Sequence, residues 1–375
     1  MERNGGDNMR PVTVLHCSDL HLGRSLPQGR SEELLMTFED LILLAEQRKA
    51  DLFLIAGDLF DQPVPEKDLV EFVRSRLEKL PENLTVAIAP GNHDYLCSGS
   101  PYLDCDWGRR VKILTGEAVE LENLPVTLWG AAFQGSYQTT SLLEGVNLEA
   151  DGRLHIGVLH GDLVSDRGQS NYDPIPPWQI AQSGLHYLAL GHIHQRSQLH
   201  KAGITAYCYC GAPEGFGFGE PGELGAFLAE VSEYGTRLEF VPLCRRMYLR
   251  HTIPVTGLDQ PHQVTHRVLL QLEQQYGKEY SKHFYRLALT GEWSGSPDLA
   301  KRVQTRLEET LHWVQVEDQT MPDADKVLIA EEDSLKGLFV RQMLERIGSA
   351  QGEEQQQYRQ ALRLGLAAFE GEVML

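Results

Sequence analysis

Short apolar runs recur along the first half of the chain, and each ends in a cluster of Asp, His or Asn. The runs span Val12 to His21, Asp51 to Asp61, Leu84 to Asp94, Leu154 to Asp162, and Tyr187 to His194. Aliphatic and β-branched runs of this length, bounded by Gly or Pro, are typical of buried strands. Ligand sites in open α/β folds form where the carboxyl ends of such strands converge. We therefore expect the strand-end residues to meet, and these are Asp19, His21, Asp58, Asn92, His93, His160, His192 and His194.

Helical periodicity alternates with the first of these runs. Ser31 to Gln47 and Glu66 to Leu80 each place apolar residues on one helical face, and each follows a predicted strand. After His194, strand-like segments follow one another without intervening helices, near residues 206–210, 225–231 and 237–243. This change of pattern predicts a second, largely antiparallel sheet packed beside the first.

The remainder of the chain has a different organisation. Past residue 255 the pattern predicts, in order, a helix, a strand, a helix and a strand, at 263–276, 283–289, 297–311 and 312–316. Two further helices are predicted over 332–347 and 353–369, and the second has a broad apolar stripe that either packs on its own domain or docks on a partner. The predicted domains are residues 10–245, 246–330 and 331–375.

Composition narrows the possible environments and partners. The 375 residues include 42% hydrophobic and 23% charged residues, and the formal net charge is −19. No apolar stretch reaches the roughly 20 residues that span a bilayer, and no signal peptide is recognisable. We therefore expect a cytoplasmic protein without a membrane partner. A surface that holds nucleic acid by itself is usually basic, so a polyanionic substrate would need metals or a partner to supply attraction.

Six cysteines are dispersed along the chain, and none forms a CxxC pair. Cys208 and Cys210 lie two residues apart on a predicted strand, but no second pair stands at a suitable spacing. A thiolate zinc site is therefore not predicted. Free buried thiols in a reducing compartment are the expected state.

The residue types at the strand ends are those of a site for two metals. Asp58 can give one carboxylate oxygen to each ion, while Asp19 and His21 can reach one ion together. His192 and His194 can reach different ions if the loop lies between them. Asn92 adds an amide oxygen and His160 an imidazole. Mixed imidazole, carboxylate and amide donors suit Mn, Fe or Zn better than Ca or Mg.

The order of these motifs resembles that of the calcineurin-like metallophosphoesterases. The series D-x-H, G-D, G-N-H-D, a later His and G-H-x-H covers residues 12–194. The resemblance implies an α/β fold, a two-sheet sandwich flanked by helices, with a dinuclear metal centre between the sheets. It implies that His93 is a non-ligand histidine beside the scissile phosphate and that Asp94 orients it. It assigns to the first metal Asp19, His21, Asp58 and His194, and to the second Asp58, Asn92, His160 and His192.

Closer features resemble the DNA-repair exonuclease branch of that family, the SbcD-like and YhaO-like nuclease subunits. They are SDLHLG at 18–23, AGDLFD at 56–61, ALGHIH at 189–194 and the glycine-rich GAPEGFGFGEPGELGA at 211–226. The resemblance implies a two-metal DNA exonuclease or endonuclease in double-strand-break repair or end processing, with Mn²⁺ as the expected metal. It also implies a smaller α+β capping domain, C-terminal helices that dock on an SMC-like ABC ATPase, and a homodimer.

One position departs from part of this branch. Asp61 stands three residues after Asp58, where some archaeal and eukaryotic members carry a second His. An acidic group there repels DNA phosphate unless it is paired or turned away. Tyr95 and Tyr137 are candidates for stacking on a base near the cleft, although aromatic residues more often serve a core or a surface.

Two other readings compete with a DNA nuclease. The first is a phosphodiesterase that acts on nucleotides or other small diesters, for which a charge of −19 is less awkward. The second is a non-catalytic scaffold that recruits an SMC-like ATPase to DNA. A scaffold has no need of both Asp58 and His93, so the complete ligand set argues against it.

Overall fold

The computed structural model describes residues 10–27, 30–293, 298–321 and 332–369. The chain divides into two compact units, Met1–Arg245 and Arg246–Leu375. Across the described ranges, no helix combines the length and the apolar character that crossing a membrane requires.

The first unit is built from strands and short helices in alternation. Its helices are α1 (Ser31–Gln47), α2 (Lys67–Glu78), α3 (Pro101–Asp104) and α4 (Pro177–Gln182). Its strands are β1 (Val12–Cys17), β2 (Leu52–Ile55), β3 (Thr85–Ile88), β4 (Val111–Ile113), β5 (Val119–Glu120), β6 (Val126–Gly130), β7 (Leu154–His160), β8 (Asp162–Leu163), β9 (Pro174–Ile175), β10 (Tyr187–Gly191), β11 (His200–Ala202), β12 (Thr205–Tyr209), β13 (Gly225–Ser232) and β14 (Gly235–Pro242).

One six-stranded sheet has the order β14-β13-β1-β2-β3-β4. Strands β1 to β4 are parallel, and β13 pairs antiparallel with β1. Every residue of β2 and β3 is buried, which explains why these strands read as continuous apolar runs. Phe38 and Leu41 of α1 pack with Val73 of α2 and Phe53 of β2 in one apolar cluster. The predicted helix over 31–47 is confirmed.

The second six-stranded sheet has the order β11-β12-β10-β7-β6-β5. Its four central strands are parallel, and only the edge strands β5 and β11 run antiparallel. A core of apolar side chains joins the two sheets, with Val14 and Leu54 from the first and Ile156 and Ala189 from the second. The predicted two-sheet sandwich is therefore confirmed.

The predicted antiparallel second sheet after His194 is wrong. Strand β12 extends the second sheet parallel to β10, whereas β13 and β14 complete the first sheet, with Val12 opposite Val231. Successive strands without helices between them usually pair with one another, and β13 and β14 do so. The local pattern does not reveal that the free edge of β1 would receive this hairpin.

The second unit contains a three-stranded parallel sheet of β15 (Tyr248–Pro254), β16 (Phe284–Thr290) and β17 (Trp313–Asp318). Its helices are α5 (Pro261–Tyr276), a 3-10 helix (Gly277–Lys282), α6 (Leu299–Leu307), α7 (Leu335–Ser349) and α8 (Gly352–Phe369). Strand β15 was not predicted, because exposed polar residues interrupt its apolar positions.

The apolar stripe of α8 is divided between burial and exposure. Leu362 and Leu366 are buried against Val340 and Ile347 of α7, while Leu364 and Phe369 are exposed. Part of the stripe therefore packs within its own unit. The predicted domain boundary at 330–331 and the predicted helix start at 297 lie outside the described residues.

Gly191, the last residue of β10, marks a very close approach between the two sheets. A Cβ atom at this position would lie 1.8 Å from the carbonyl oxygen of Ala56 and 2.7 Å from the Cβ of Ser18, residues that follow β2 and β1. Ordinary contacts do not allow either separation, so a larger residue would push the strand ends of the two sheets apart.

We predict that Gly191→Ala lowers the free energy of unfolding by about 2 kcal/mol or more, because overpacking against backbone is poorly relieved. Urea unfolding of the metal-free protein measures this change. Gly135→Ala is the matched control, since a Cβ there meets nothing within 4 Å. Equal stability of the two variants would contradict the close approach.

Candidate metal centre

The predicted site residues come together at the carboxyl ends of strands from both sheets. Their ligand atoms form three overlapping groups in which all the atoms lie within 4.8 Å of one another, namely Asp19 with His21 and His194, His21 with Asp58 and His93, and Asp19 with Asp58 and His160. Asn92 and His192 join them, since Asn92 Oδ1 lies 2.9 Å from His160 Nε2 and 3.2 Å from His192 Nδ1.

Backbone strain is concentrated at these positions. In the described part of the chain, the non-glycine residues with positive φ are Asp19, His21, Asp58 and His192, together with Lys49 and Asp173. Such conformations cost free energy and persist where surrounding structure imposes them, which is common at functional sites. Glycine precedes Asp58 for a steric reason, because a Cβ on Gly57 would lie 2.2 Å from His160 Nδ1.

One side of the centre is formed by Asp19, His21 and His194. The Asp19 carboxylate accepts hydrogen bonds from the Ser18 hydroxyl at 2.5 Å and from the His192 backbone N–H at 3.1 Å. His194 Nε2 lies 3.5 Å from Asp19 Oδ1. Among the residues that the structure describes, nothing hydrogen-bonds to the buried Nε2 of His21. A buried nitrogen without a partner is costly, and a cation at this position would satisfy it.

Asp58 lies between the two sides of the centre. Its Oδ2 is 3.3 Å from His160 Nε2 and 3.6 Å from His21 Nε2, and its side chain is almost fully buried. Burial opposes ionisation, but the charges of His160 and His21 hold the pKa of Asp58 well below its usual value. This position suits a carboxylate that bridges two cations.

The outer nitrogens of three imidazoles are held by oxygen acceptors. His21 Nδ1 lies 3.0 Å from Asp61 Oδ1, His160 Nδ1 lies 2.9 Å from the Ala56 carbonyl, and His194 Nδ1 lies 2.6 Å from Glu220 Oε1. Partners of this kind set the tautomer of a metal-binding imidazole and leave Nε2 as the ligand. Asp61 is therefore paired, which answers the concern that its charge faces a substrate phosphate. Asp61 and Glu220 were not predicted to hold ligands.

The donor set fits two divalent metals. Without metal, burial opposes charge on His160, but the Asp58 carboxylate outweighs it and raises the pKa of His160 to about 10. A metal that binds this imidazole must displace its proton, so metal affinity rises with pH. Asp19, His21, Asp58 and His194 would hold one ion, and Asp58, Asn92, His160 and His192 the other.

His93 differs from the other histidines in its exposure. Its side chain is 42% exposed, whereas those of His21 and His160 are at most 1% exposed. The backbone N–H of His93 donates to Asp58 Oδ1 at 2.9 Å, and its Nδ1 lies 3.2 Å from the Asp61 carbonyl oxygen. The imidazole is thus anchored to the centre and open to a bound substrate.

The expectation that Asp94 orients His93 is corrected by the structure. The buried Asp94 carboxylate accepts hydrogen bonds from the backbone N–H groups of Asp58, Leu59, Phe60 and Gly91, and from the Tyr102 hydroxyl at 2.6 Å. Burial and the charge of Asp58 raise the pKa of Asp94. Asp94 therefore ties together two ligand loops, and the contact to the His93 ring comes from Asp61 instead.

We predict that Asp94→Ala lowers the free energy of unfolding by about 3 kcal/mol or more, because it leaves several buried N–H groups without an acceptor. Tyr102→Phe removes one hydrogen bond to the same carboxylate and should cost about 1 kcal/mol. Urea unfolding of the metal-free protein compares the two. Similar losses in both variants would argue against Asp94 as the tie between the loops.

Comparison with known proteins accords with this geometry. Residues 12–196 match the family described as calcineurin-like phosphoesterase, which spans β1 to the end of the G-H-x-H motif. This part of the chain is a calcineurin-like metallophosphoesterase domain. The family uses divalent metal ions, in agreement with the donor groups described above.

Individual relatives are more distant. The chain is 29% identical over 246 residues to the uncharacterized metallophosphoesterase YhaO of Bacillus subtilis, covering 61% of this chain and 60% of that protein. It is 26% identical over 218 residues to the DNA double-strand break repair protein Mre11 of Saccharolobus solfataricus, covering 54% and 55%. A stretch of 87 residues is 31% identical to the SbcD nuclease subunit of Staphylococcus saprophyticus, covering 22% and 23%. The matches to YhaO and Mre11 thus span little more than half of each relative.

Proposed function

We propose that this metallophosphoesterase is a two-metal phosphodiesterase that hydrolyses DNA, as a nuclease subunit in double-strand-break repair or end processing. The observation that carries the proposal is the placement of buried Asp58 between two ligand sets, with exposed His93 beside it. Phosphoryl transfer needs charge neutralisation and positioning more than covalent chemistry from the protein, and this arrangement provides both.

In the proposed reaction, the protein holds and orients the reacting groups. Two divalent ions, when bound, polarise phosphoryl oxygens and lower the pKa of water, and Mn²⁺ is the metal that we propose. Asp61 engages Nδ1 of His93 through its carbonyl oxygen, which leaves Nε2 to exchange a proton with the substrate. His93 then neutralises a phosphate oxygen or protonates the leaving alkoxide. Arg24 lies 3.6 Å from Asp61 and offsets part of its charge.

Two features support a nucleic-acid substrate. Relatives with similar sequences include proteins named for DNA double-strand break repair and a subunit of a nuclease. In addition, the rings of His192, Tyr172 and Tyr137 form a row, with centroid separations of 4.7 Å and 5.8 Å, and Tyr137 is 65% exposed. A row that begins at the centre and ends at the surface suits base stacking. Tyr95 remains a second candidate.

The proposal extends to partners. We propose a homodimer that works with an SMC-like ABC ATPase, with residues 246–330 as a capping domain and 331–375 as a docking region. The ATPase would hold most of the DNA backbone, because a chain with a net charge of −19 supplies little attraction for phosphate on its own.

A second candidate function is hydrolysis of small diesters. Acidic side chains gather around the centre, where Asp61, Asp162 and Glu220 contact His21, His192 and His194. This local charge favours a substrate with fewer phosphates than DNA, since repulsion grows with the number of phosphates bound.

We predict that His93→Ala retains two Mn²⁺ sites by calorimetry and loses about 10²- to 10⁴-fold in turnover, the usual contribution of a general acid or charge-neutralising group. His262→Ala is the control, since it removes an exposed histidine of α5 in the second unit. Loss of one metal site in His93→Ala would instead make His93 a ligand, as its proximity to His21 and Asp58 also allows.

The substrate is tested by Mn²⁺-dependent cleavage of end-labelled single- and double-stranded DNA, with a small chromogenic phosphodiester in parallel. We expect wild-type protein to shorten DNA and His93→Ala to leave it intact. Cleavage of the small diester alone would keep the metal chemistry and discard the role in DNA repair. Absence of hydrolysis with Mn, Fe or Zn on either substrate would favour the scaffold.

A further inference from the structure

The glycine-rich loop between β12 and β13 lies against His194 and His21. Its first residues are tied to the ligand segment, because the Ala212 N–H donates to the His194 carbonyl at 2.9 Å. Further along, Glu214 accepts hydrogen bonds from the Thr37 hydroxyl at 2.9 Å and from the Arg245 N–H at 2.6 Å. The loop is thus fixed to α1 and to the end of the first unit before it reaches the metal centre.

Both carboxylate oxygens of Glu220 have a defined partner. Oε1 lies 2.6 Å from His194 Nδ1, and Oε2 accepts the Phe216 N–H at 2.8 Å. The side chain is 17% exposed, so water competes weakly for these bonds. A single carboxylate therefore joins the loop to one imidazole of the centre.

Phe216 places its ring against the same side of the centre. Its centroid lies 5.2 Å from that of His21 and 5.3 Å from that of His194, both in edge-to-face arrangements. The Arg24 guanidinium lies over the ring at 4.5 Å from the centroid. The loop therefore covers the His21 and His194 side, whereas His160, Asn92 and His192 are held by other segments.

We propose that Glu220 is a positioning residue for the first metal, acting through His194 from a loop that is far from it in sequence. The inference rests on the proposed two-metal function. With Nδ1–H donated to Glu220, His194 presents Nε2 toward Asp19, and the carboxylate makes the imidazole a stronger donor. The glycines of this loop let the backbone return so that Glu220 and Phe216 reach the centre together.

The electrostatics are consistent with this role. Burial lowers the pKa of His194, but the hydrogen bond to Glu220 and the charge of Asp19 together raise it above its ordinary value. The negative field that holds a proton on this imidazole in the free protein also favours a divalent cation, and the two compete for Nε2.

The experiment is calorimetric titration of the full chain with Mn²⁺, for wild type, Glu220→Ala, Glu220→Gln and Glu223→Gln. We expect wild type to bind two ions, and Glu220→Ala to weaken one site by about 10- to 100-fold while leaving the other unchanged. Glu220→Gln keeps an oxygen that can accept from Nδ1 and should lie between wild type and Glu220→Ala. Glu223→Gln removes an exposed charge from the same loop and should match wild type.

Equal affinities in Glu220→Ala and wild type would overturn the inference. So would a parallel weakening of both sites with a lower unfolding temperature of the metal-free protein, because that pattern belongs to a loop with a merely structural role. Hydrolysis assays of the wild type separate this inference from the proposed function. If the wild type binds two ions and cleaves only small diesters, the DNA proposal fails while the role of Glu220 stands.

Discussion

The Asp58 carboxylate is buried between His21 and His160, and the architecture of the first unit serves to keep it there. An ionised carboxylate inside a protein is costly unless cationic groups surround it. Protonated imidazoles can supply that charge in the free protein, and divalent metals can supply more of it. Because the carboxylate and the imidazoles come from strand ends of two different sheets, the sandwich must hold both sheets in a single relative position.

Several local features follow from that requirement. Gly191 allows the sheets to approach where any side chain would collide with the Ala56 carbonyl. Asp94 gathers N–H groups from the Asp58 loop and the Gly91 loop onto one carboxylate. The positive φ values at Asp19, His21, Asp58 and His192 show that the backbone bends to turn these side chains inward. Strain at these residues is tolerated because the packed sheets and the hydrogen bonds around them determine their conformation.

Acidic residues around the centre have a structural explanation. Asp61, Asp162 and Glu220 each contact a histidine of the cluster, so part of the negative charge of the chain is committed to orienting imidazoles. A negatively charged surround stabilises bound cations and at the same time opposes an approaching phosphate. The observed pairing of Asp61 with His21 and Arg24 reduces that second effect.

The grouping of the candidate ligands was predictable because each lies within a few residues of a buried strand, and parallel strands bring their ends together. The contact between His194 and Glu220 was not predictable, since 26 residues separate them and the loop has no periodicity that records its path. The placement of β13 beside β1 was missed for a related reason. Pairing between distant strands depends on which sheet edge is free, and hydrophobic pattern does not encode that.

The central claim is that Asp58 bridges two metal ions, and anomalous scattering from crystals grown with Mn²⁺ tests it directly. The account predicts two manganese peaks about 3.5–4 Å apart, with a carboxylate oxygen of Asp58 bound to each. One ion should contact His21 and His194, and the other His160 and His192. A single peak, or two peaks that do not share Asp58, would contradict the account.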